Sequence, residues 1–193
     1  MSKYGTGESK YCYPGTSVLI NHFEVKDDER LAKLDAILTS KRLSELQINP
    51  IKGDFSFNHL NKIHYYLFQD IYPFAGVLRS ENISKGNFTF APALHLQESG
   101  NQLFSRLQQE IFDQRSKDEI CHLLAFYMAE INVLHPFRDG NGRSCREFIR
   151  VLALTHGYTL DWTKVDKRKI LQASIDSTTR LGPLKKVMSE LIE

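Results

Sequence analysis

Twelve consecutive residues carry most of the chemical information in this chain: His135-Pro136-Phe137-Arg138-Asp139-Gly140-Asn141-Gly142-Arg143-Ser144-Cys145-Arg146. They combine an imidazole that can take a proton near neutral pH, a carboxylate that can hold a divalent cation, and two glycines around an asparagine. Two arginines follow, three residues apart, in a segment that we expect to form the first turn of a helix. Cations beside a glycine-rich loop predict a binding site for a polyphosphate.

The backbone of this loop should contribute to anion binding. Gly140 and Gly142 let main-chain N–H groups approach a ligand closely, and the start of the following helix adds unpaired donors and a favourable dipole. Arg143 and Arg146 stand at positions i and i+3, so they project from one helix face, where both could hold phosphate oxygens. Asp139 is placed to share Mg²⁺ with those phosphates, because that ion usually takes one or two protein carboxylates.

His135 is the candidate general base, because its unperturbed pKa lies near neutrality. Pro136 pushes the preceding residue out of the α region, so we expect a helix to end at or before His135. The other six histidines are expected to be surface or core residues, and none has a spacing that predicts a zinc site: His22, His59, His64, His95, His122 and His156. Cys145 is expected to pack rather than to react.

The twelve residues match, at every fixed position, the signature HxFx[DE]GNGRxxR, and the chain therefore resembles the Fic (filamentation induced by cyclic AMP) family. The resemblance covers about residues 55–175. It implies an all-α fold, the Fic helical bundle with a small β-hairpin flap, and transfer of AMP from ATP to a hydroxyl side chain of a protein. It implies that His135 is the catalytic base, Asp139 the Mg²⁺ ligand, and Phe137 the anchor of the loop. The implied ATP-binding residues are Arg138, Asp139, Gly140, Asn141, Gly142, Arg143 and Arg146, with Ile83 near the adenine.

The segment 79–92 predicts a β-hairpin. Ile83, Phe88 and Phe90 alternate around a glycine-containing tip. A lone hairpin is marginally stable, so this one is a candidate lid or docking strand, and a hairpin that only packs on the core is the alternative. The segment also resembles the Fic flap, which implies that the target peptide pairs with Ser84, Lys85, Gly86, Asn87 and Phe88.

Apolar spacing and capping residues predict helices over 27–46, 56–73, 94–112, 117–134, 143–156, 167–178 and 181–191. In the first of these, Leu31, Leu34, Ile37 and Leu38 should form the buried face. With 193 residues and 41% hydrophobic composition, we expect one domain spanning 1–193. It should have an irregular N-terminal arm over 1–26, frayed over 1–10, and a C-terminal helix within 179–193.

Composition narrows the function classes. A formal charge of +2 does not indicate a nucleic-acid partner. Residues 164–186 are locally basic, which predicts a solvated helical face or, alternatively, a docking surface for an acidic partner. Three cysteines without a CxxC pair indicate a reducing compartment. The sequence has neither a signal-peptide pattern nor a membrane-spanning run, so we expect a cytoplasmic protein unless a secretion system exports it.

The sequence Gly140-Asn141-Gly142-Arg143 favours AMP transfer over the phosphotransferase relatives of the family, which carry a different loop sequence. A nucleotide-binding regulator without transfer activity is the other alternative. Fic enzymes are commonly inhibited by a glutamate in the pattern [ST]xxxE[GN], which pairs with the second motif arginine, here Arg146. The chain has only the incomplete match at 189–193. The resemblance to toxin-type members therefore suggests a separate small antitoxin, and their frequent targets are topoisomerase subunits.

Overall fold

In the computed structural model, residues 9–193 are described, and they form a helical bundle with one two-stranded antiparallel hairpin. The all-α class with a hairpin is confirmed. Two short 3-10 turns, Ala93–His95 and Trp162–Lys164, accompany the main elements. These are α1 (Asp28–Ile48), α2 (Phe57–Phe68), β1 (Ser84–Lys85), β2 (Phe88–Thr89), α3 (Leu96–Gln108), α4 (Lys117–Leu134), α5 (Asn141–Thr155), α6 (Lys167–Asp176) and α7 (Gly182–Leu191).

Helix α4 is the centre of the bundle and packs against α3, α5, α6 and α7. A capping box fixes its start: the Ser116 hydroxyl accepts from the Glu119 N–H at 3.4 Å, and the Ser116 N–H donates to the Glu119 carboxylate at 2.8 Å. Along the rest of α4, its own apolar side chains, such as Leu124 and Met128, are buried in the core. Its bounds are those that the sequence predicts, because caps and periodicity agree.

Helix α5 begins two residues earlier than expected, at Asn141 instead of Arg143. Gly140 is its N-cap, with a φ of 79°, so Asn141 and Gly142 belong to the first helical turn. The helix packs between α2 and α4 and ends at Thr155, before Gly157 in the left-handed region. The two glycines, Gly140 and Gly142, led us to expect a loop here. Only the backbone of Gly140 lies outside the helical region.

Several expected boundaries and faces are corrected. Helix α2, capped by Ser56 as expected, ends at Phe68 instead of reaching Pro73. In α1, Ile37 is 68% exposed, while the polar side chains of Asp35 and Thr39 are buried. Leu31, Asp35 and Thr39 are four residues apart and therefore lie on one face of the helix. A pattern of apolar residues alone does not reveal this face, because two of its three residues are polar.

The segment before α1 is irregular and packs on the core through Cys12, Val18 and Leu19. Ser9 and Lys10, expected to fray, both donate to the Glu81 carboxylate, at 2.7 and 2.8 Å. Expectations for residues 1–8 lie outside the described residues. No helix within residues 9–193 is long and apolar enough to cross a bilayer.

The basic stretch 164–186 is largely paired with acids on the surface. Lys169 contacts Glu190 at 2.6 Å and Lys185 contacts Asp118 at 2.7 Å, while Lys164 pairs with Glu193 and Arg180 with Asp176. Exposed pairs of this kind contribute little stability. They favour the solvated face over an acidic docking partner, because most of the local charge is already compensated.

His64, on the buried face of α2, connects three parts of the core. The Gly76 N–H donates to Nδ1 at 2.8 Å, so Nε2 carries the hydrogen and donates to the Asp139 carbonyl, also at 2.8 Å. The ring stacks on Phe137 with 3.7 Å between centroids. Burial lowers the pKa of His64 to about 4, so the imidazole is neutral at pH 7 and supports the loop as an uncharged group.

We expect stability to fall as the pH drops from 6.5 towards 4. The folded-state pKa of His64 lies below its unfolded value, so the unfolded chain takes the proton first and the stabilisation present above pH 6.5 is lost. A shift of this size corresponds to about 3 kcal/mol for His64. Urea unfolding at a series of pH values should show a shallower decline for His64→Gln than for the unsubstituted chain. His22→Gln, at an exposed position, should keep the original slope. Equal slopes for all three proteins would contradict this.

Candidate active site

A cavity of about 500 Å³ opens beside the start of α5. Its walls come from the β1–β2 hairpin, the last turns of α4, the loop 135–140, the first turns of α5 and one face of α6. The lining residues are Lys85, Gly86, Phe88, Phe90, Met128, Asn132, His135, Asp139, Gly140, Asn141, Gly142, Arg143, Arg146, Leu171, Ser174, Ile175 and Thr178. Seven residues of the twelve-residue stretch therefore line one cavity: His135, Asp139, Gly140, Asn141, Gly142, Arg143 and Arg146.

His135 is the first residue beyond α4 and adopts a left-handed backbone, with φ 45° and ψ 60°. Pro136 excludes the α region for it, and the expected helix end is thus found. Positive φ is uncommon for a residue other than glycine and is often found at functional sites. The imidazole stacks on Phe90, with 3.8 Å between ring centroids. Backbone and ring are both fixed at the cavity wall.

The hydrogen bonding of His135 determines which nitrogen can act as a base. Its Nδ1 lies 3.2 Å from the Asn132 carbonyl oxygen, which can only accept, so Nδ1 carries the hydrogen and Nε2 the lone pair. Burial, with a smaller effect of the charge of Arg79, lowers the pKa of His135 to about 4 despite the opposing effect of that hydrogen bond. The imidazole is therefore in its basic form at pH 7.

Arg79 holds this end of α4 to the hairpin segment. Its guanidinium donates to the carbonyls of His135 at 2.9 Å, Leu134 at 3.3 Å, Glu81 at 2.8 Å and Ala91 at 2.5 Å. It is 2% exposed, and burial lowers its pKa to about 10, so it stays charged at pH 7. Sequence reasoning missed this residue. A lone arginine at the start of an apolar hairpin was the available signal.

The Asn141 side chain closes the loop. Its Oδ1 accepts from the Phe137 N–H at 2.9 Å, and its Nδ2 donates to the Phe137 carbonyl at 2.7 Å. The amide is thus committed to the protein, whereas the resemblance implied a ligand contact for this residue. The backbone N–H groups of Asn141 and Gly142, first in the helix, have no acceptor among residues 9–193. They form a candidate anion site.

The two glycines differ in what requires them. A Cβ on Gly140 would lie 2.4 Å from the Phe68 ring, and its φ is 79°, so packing and conformation both demand glycine there. A Cβ on Gly142 would meet only the Arg146 guanidinium, at 3.4 Å. The described protein therefore leaves room for a methyl group at Gly142, and we predict that glycine there serves the close approach of a ligand.

The two motif arginines also differ. Arg143 forms a two-pronged ion pair with Asp35 of α1, in which Nη2 lies 3.0 Å from Oδ2, and it also donates to Thr39 at 3.0 Å. The Tyr72 hydroxyl donates to the same carboxylate at 3.1 Å. Arg143 is therefore already paired with an acid, although it also lines the cavity, and phosphate binding by both arginines stays a prediction.

Arg146 lines the cavity without a hydrogen-bond or ion-pair partner anywhere in the described part of the chain, residues 9–193. Burial, with a smaller effect of Arg143, lowers its pKa, but an arginine side chain stays protonated in a protein. Two unpaired N–H groups and one uncompensated guanidinium thus face the same space. This combination favours a multiply charged anion.

Asp139 lines the cavity next to these donors, and its Oδ1 accepts from the Gly140 N–H at 2.5 Å. No cluster of three or more metal-ligating side chains occurs within residues 9–193. A single carboxylate beside an anion site fits Mg²⁺ shared with phosphate oxygens rather than an all-protein cage. The residues present therefore fit the expected ion.

Of the remaining expected site residues, some line the cavity and others do not. Lys85, Gly86 and Phe88 line the cavity, but Ser84, Asn87 and Ile83 do not. Ile83 is buried with Phe90 beneath the hairpin. Arg138 is 3% exposed and directed towards Cys12 Sγ at 3.8 Å, outside the cavity lining. Glu193, the end of the incomplete glutamate pattern, pairs with Lys164 and is likewise not part of the lining.

Substituting the two glycines separately should distinguish packing from ligand approach. We expect Gly140→Ala to lower the melting temperature strongly, since the methyl group would overlap Phe68. Gly142→Ala should keep the melting temperature within the range of ordinary surface substitutions and weaken ADP binding by at least about tenfold. Thermal unfolding and calorimetric titration measure the two effects. Unchanged ADP affinity in folded Gly142→Ala would contradict the assignment.

Comparison with known proteins agrees with this geometry. The Fic/DOC family model matches residues 54–153. The chain is 33% identical to the probable protein adenylyltransferase y4lH of Sinorhizobium fredii, covering 95% of this chain and 96% of that protein. It is 34% identical to the probable protein adenylyltransferase Fic of Escherichia coli K12, covering 89% and 86%. It is 37% identical to the protein adenylyltransferase VbhT of Bartonella schoenbuchensis, covering 92% of this chain but 37% of VbhT.

Solved structures share the fold. The Fic domain of a Bep effector protein from Bartonella quintana, crystallised with ADP, superimposes with a TM-score of 0.86 over 95% of this chain and 94% of that one, at 24% identity. BepC from Bartonella tribocorum, crystallised with AMPPNP, gives 0.85 over 95% and 96%, also at 24% identity. With a family model matching half of its length and relatives of similar size above 30% identity, the chain belongs to the Fic/DOC family.

Proposed function

We propose that this protein is an adenylyltransferase that transfers AMP from ATP to a Ser, Thr or Tyr hydroxyl of a target protein and releases pyrophosphate. The observation that carries the proposal is the position of a neutral His135 and of the anion site at the start of α5 in one cavity. The curated relatives that match most of the chain bear the name protein adenylyltransferase, which supports the same reaction.

The triphosphate would bind along the start of α5. The N–H groups of Asn141 and Gly142 would donate to its phosphate oxygens, and Arg146 would pair with a terminal phosphate. Mg²⁺, when bound by Asp139 and phosphate oxygens, would offset charge that develops on the leaving group. Arg143, which is paired with Asp35, would attract the phosphates electrostatically from the wall of the site.

Proton transfer would fall to His135. Its Nε2 would take the proton of the target hydroxyl while that oxygen attacks the α-phosphorus, and the bond between the α-phosphorus and its bridging oxygen would break to release pyrophosphate. The negative charge of bound phosphates favours the imidazolium, which raises the pKa of His135 from its low resting value towards the working pH. Alignment and charge stabilisation would supply most of the rate.

The hairpin would dock the target. Lys85, Gly86 and Phe88 stand at the cavity, and a hairpin of only two strands has unpaired backbone edges. A target segment could pair with such an edge as an added strand and present its hydroxyl to His135. In this arrangement Ser84 and Asn87 would contribute backbone groups rather than contacts inside the cavity.

Control and location are part of the proposal. Arg146 has no acidic partner within residues 9–193, and the pattern of an inhibitory glutamate is incomplete in this sequence. We therefore assign inhibition to a separate small antitoxin whose glutamate would pair with Arg146. The reaction would take place in the cytoplasm, where topoisomerase subunits are the first candidate targets.

Labelled ATP tests the reaction. Incubated with cell lysate, the chain alone should incorporate the label of [α-³²P]ATP into protein and not that of [γ-³²P]ATP. His135→Ala should lower incorporation about 10²- to 10⁴-fold, because a general base is lost. His95→Ala, at an exposed position outside the cavity, should transfer at the original rate.

Other outcomes would contradict parts of the proposal. Incorporation of the γ-label would identify a phosphotransferase, and ATP binding without incorporation would identify a regulator. Full activity of His135→Ala would remove the assigned base. A chain that is inactive alone and gains activity when its own C-terminal residues are removed would contradict inhibition by a separate protein.

A further inference from the structure

One polar side chain in the cavity has no role in the scheme above. Asn132 lies in the last turn of α4, and its side chain lines the cavity. The Nδ2 atom is buried and has no hydrogen-bond partner among residues 9–193. A buried donor without an acceptor is unfavourable, because it has given up its hydrogen bond to water. Such a group is expected where a ligand supplies the acceptor.

The other uncharged polar side chains of the cavity are already satisfied by the protein. Ser174 donates to the Ile170 carbonyl at 2.8 Å, and Thr178 donates to the Ile175 carbonyl at 2.9 Å. The Asn141 amide is bonded to Phe137. Asn132 is therefore the uncharged side chain of this lining, within residues 9–193, that retains a buried donor for a ligand.

Helix geometry indicates which part of a nucleotide this donor would meet. His135 marks the position of the reacting α-phosphorus. Asn132 lies three residues earlier, about 4.5 Å back along the helix axis, and Met128 lies about 10 Å back. In a nucleotide the sugar directly follows the α-phosphate, and the base lies beyond it. A nucleotide that runs from His135 back along α4 would therefore place its sugar beside the amide and its base beside the apolar Met128.

Building on the proposed function, we propose that the Asn132 side-chain amide donates a hydrogen bond to a hydroxyl oxygen of the ribose and thereby selects ribonucleotides over deoxyribonucleotides. A site with a buried donor for a hydroxyl disfavours the analogue that lacks it, because the donor is then left unpaired. The backbone carbonyl of Asn132 meanwhile orients His135, so the sugar contact and the base orientation come from one residue.

Substitution of Asn132 separates these two roles, because only the side chain changes. Calorimetric titration with ADP, 2′-deoxy-ADP and 3′-deoxy-ADP should show that the unsubstituted chain prefers ADP over at least one deoxy analogue about 10- to 100-fold. Asn132→Leu, which is similar in size and apolar, should bind all three with similar affinity. Affinity for inorganic pyrophosphate should be the same in both proteins, which shows that the variant is folded and that the anion site is intact. Asn101→Leu, on the exposed side of α3, should keep the preference for ADP.

Three results would overturn the inference. A preference for ADP that persists unchanged in Asn132→Leu would mean that another group reads the sugar. A changed preference between ADP and GDP, with sugar selectivity retained, would place the amide at the base. If the unsubstituted chain bound none of these nucleotides, both the proposed function and the inference would be contradicted. The first two results would contradict the inference alone and leave the proposed function intact.

Discussion

The two hydrogen bonds between the Asn141 side chain and the backbone of Phe137 are the constraint on which the site depends. They close the loop between α4 and α5 and leave the first N–H groups of α5 open to the cavity. Two further side chains hold neighbouring carbonyls: Arg79 binds that of His135, and His64 binds that of Asp139. Because these groups are buried, each lost partner would leave an unsatisfied polar atom, and the loop has one well-determined conformation.

The two arginines at the start of α5 differ in their partners within residues 9–193: Arg143 is paired with an acid and Arg146 is not. Asp35 and Thr39 hold Arg143 against the Phe68 ring, with 4.5 Å from guanidinium to centroid, and so connect α1 to the site. Arg146 remains for a ligand. Two uncompensated guanidinium groups this close would repel each other, and the acid on α1 removes most of that repulsion. Helix α1, which precedes the residues matched by the family model, is thereby part of the active-site architecture.

Local features of the sequence predicted the elements better than their connections. Apolar periodicity gave α4 at its actual bounds and Pro136 gave its end, and the motif predicted a base and an anion loop whose residues line one cavity. The partners of the motif could not be predicted, because Arg79, His64 and Asp35 lie far from it in sequence. Apolar spacing did not show that the face of α1 with Asp35 is buried, and it does not show which group satisfies a buried acid. The family resemblance also implied nucleotide contacts for Arg138 and Ile83, although neither lines the cavity.

If the proposed function is right, the closed loop binds a triphosphate through the start of α5 and exposes the α-phosphorus to His135. A crystal structure with Mg²⁺ and a non-hydrolysable ATP analogue would test this. We expect phosphate oxygens within hydrogen-bonding distance of the Asn141 and Gly142 N–H groups and of Arg146, with Arg143 still bound to Asp35 and the α-phosphorus facing Nε2 of His135. Phosphates bound outside this cavity, or an Asn141 amide that leaves Phe137 to bind them, would contradict it.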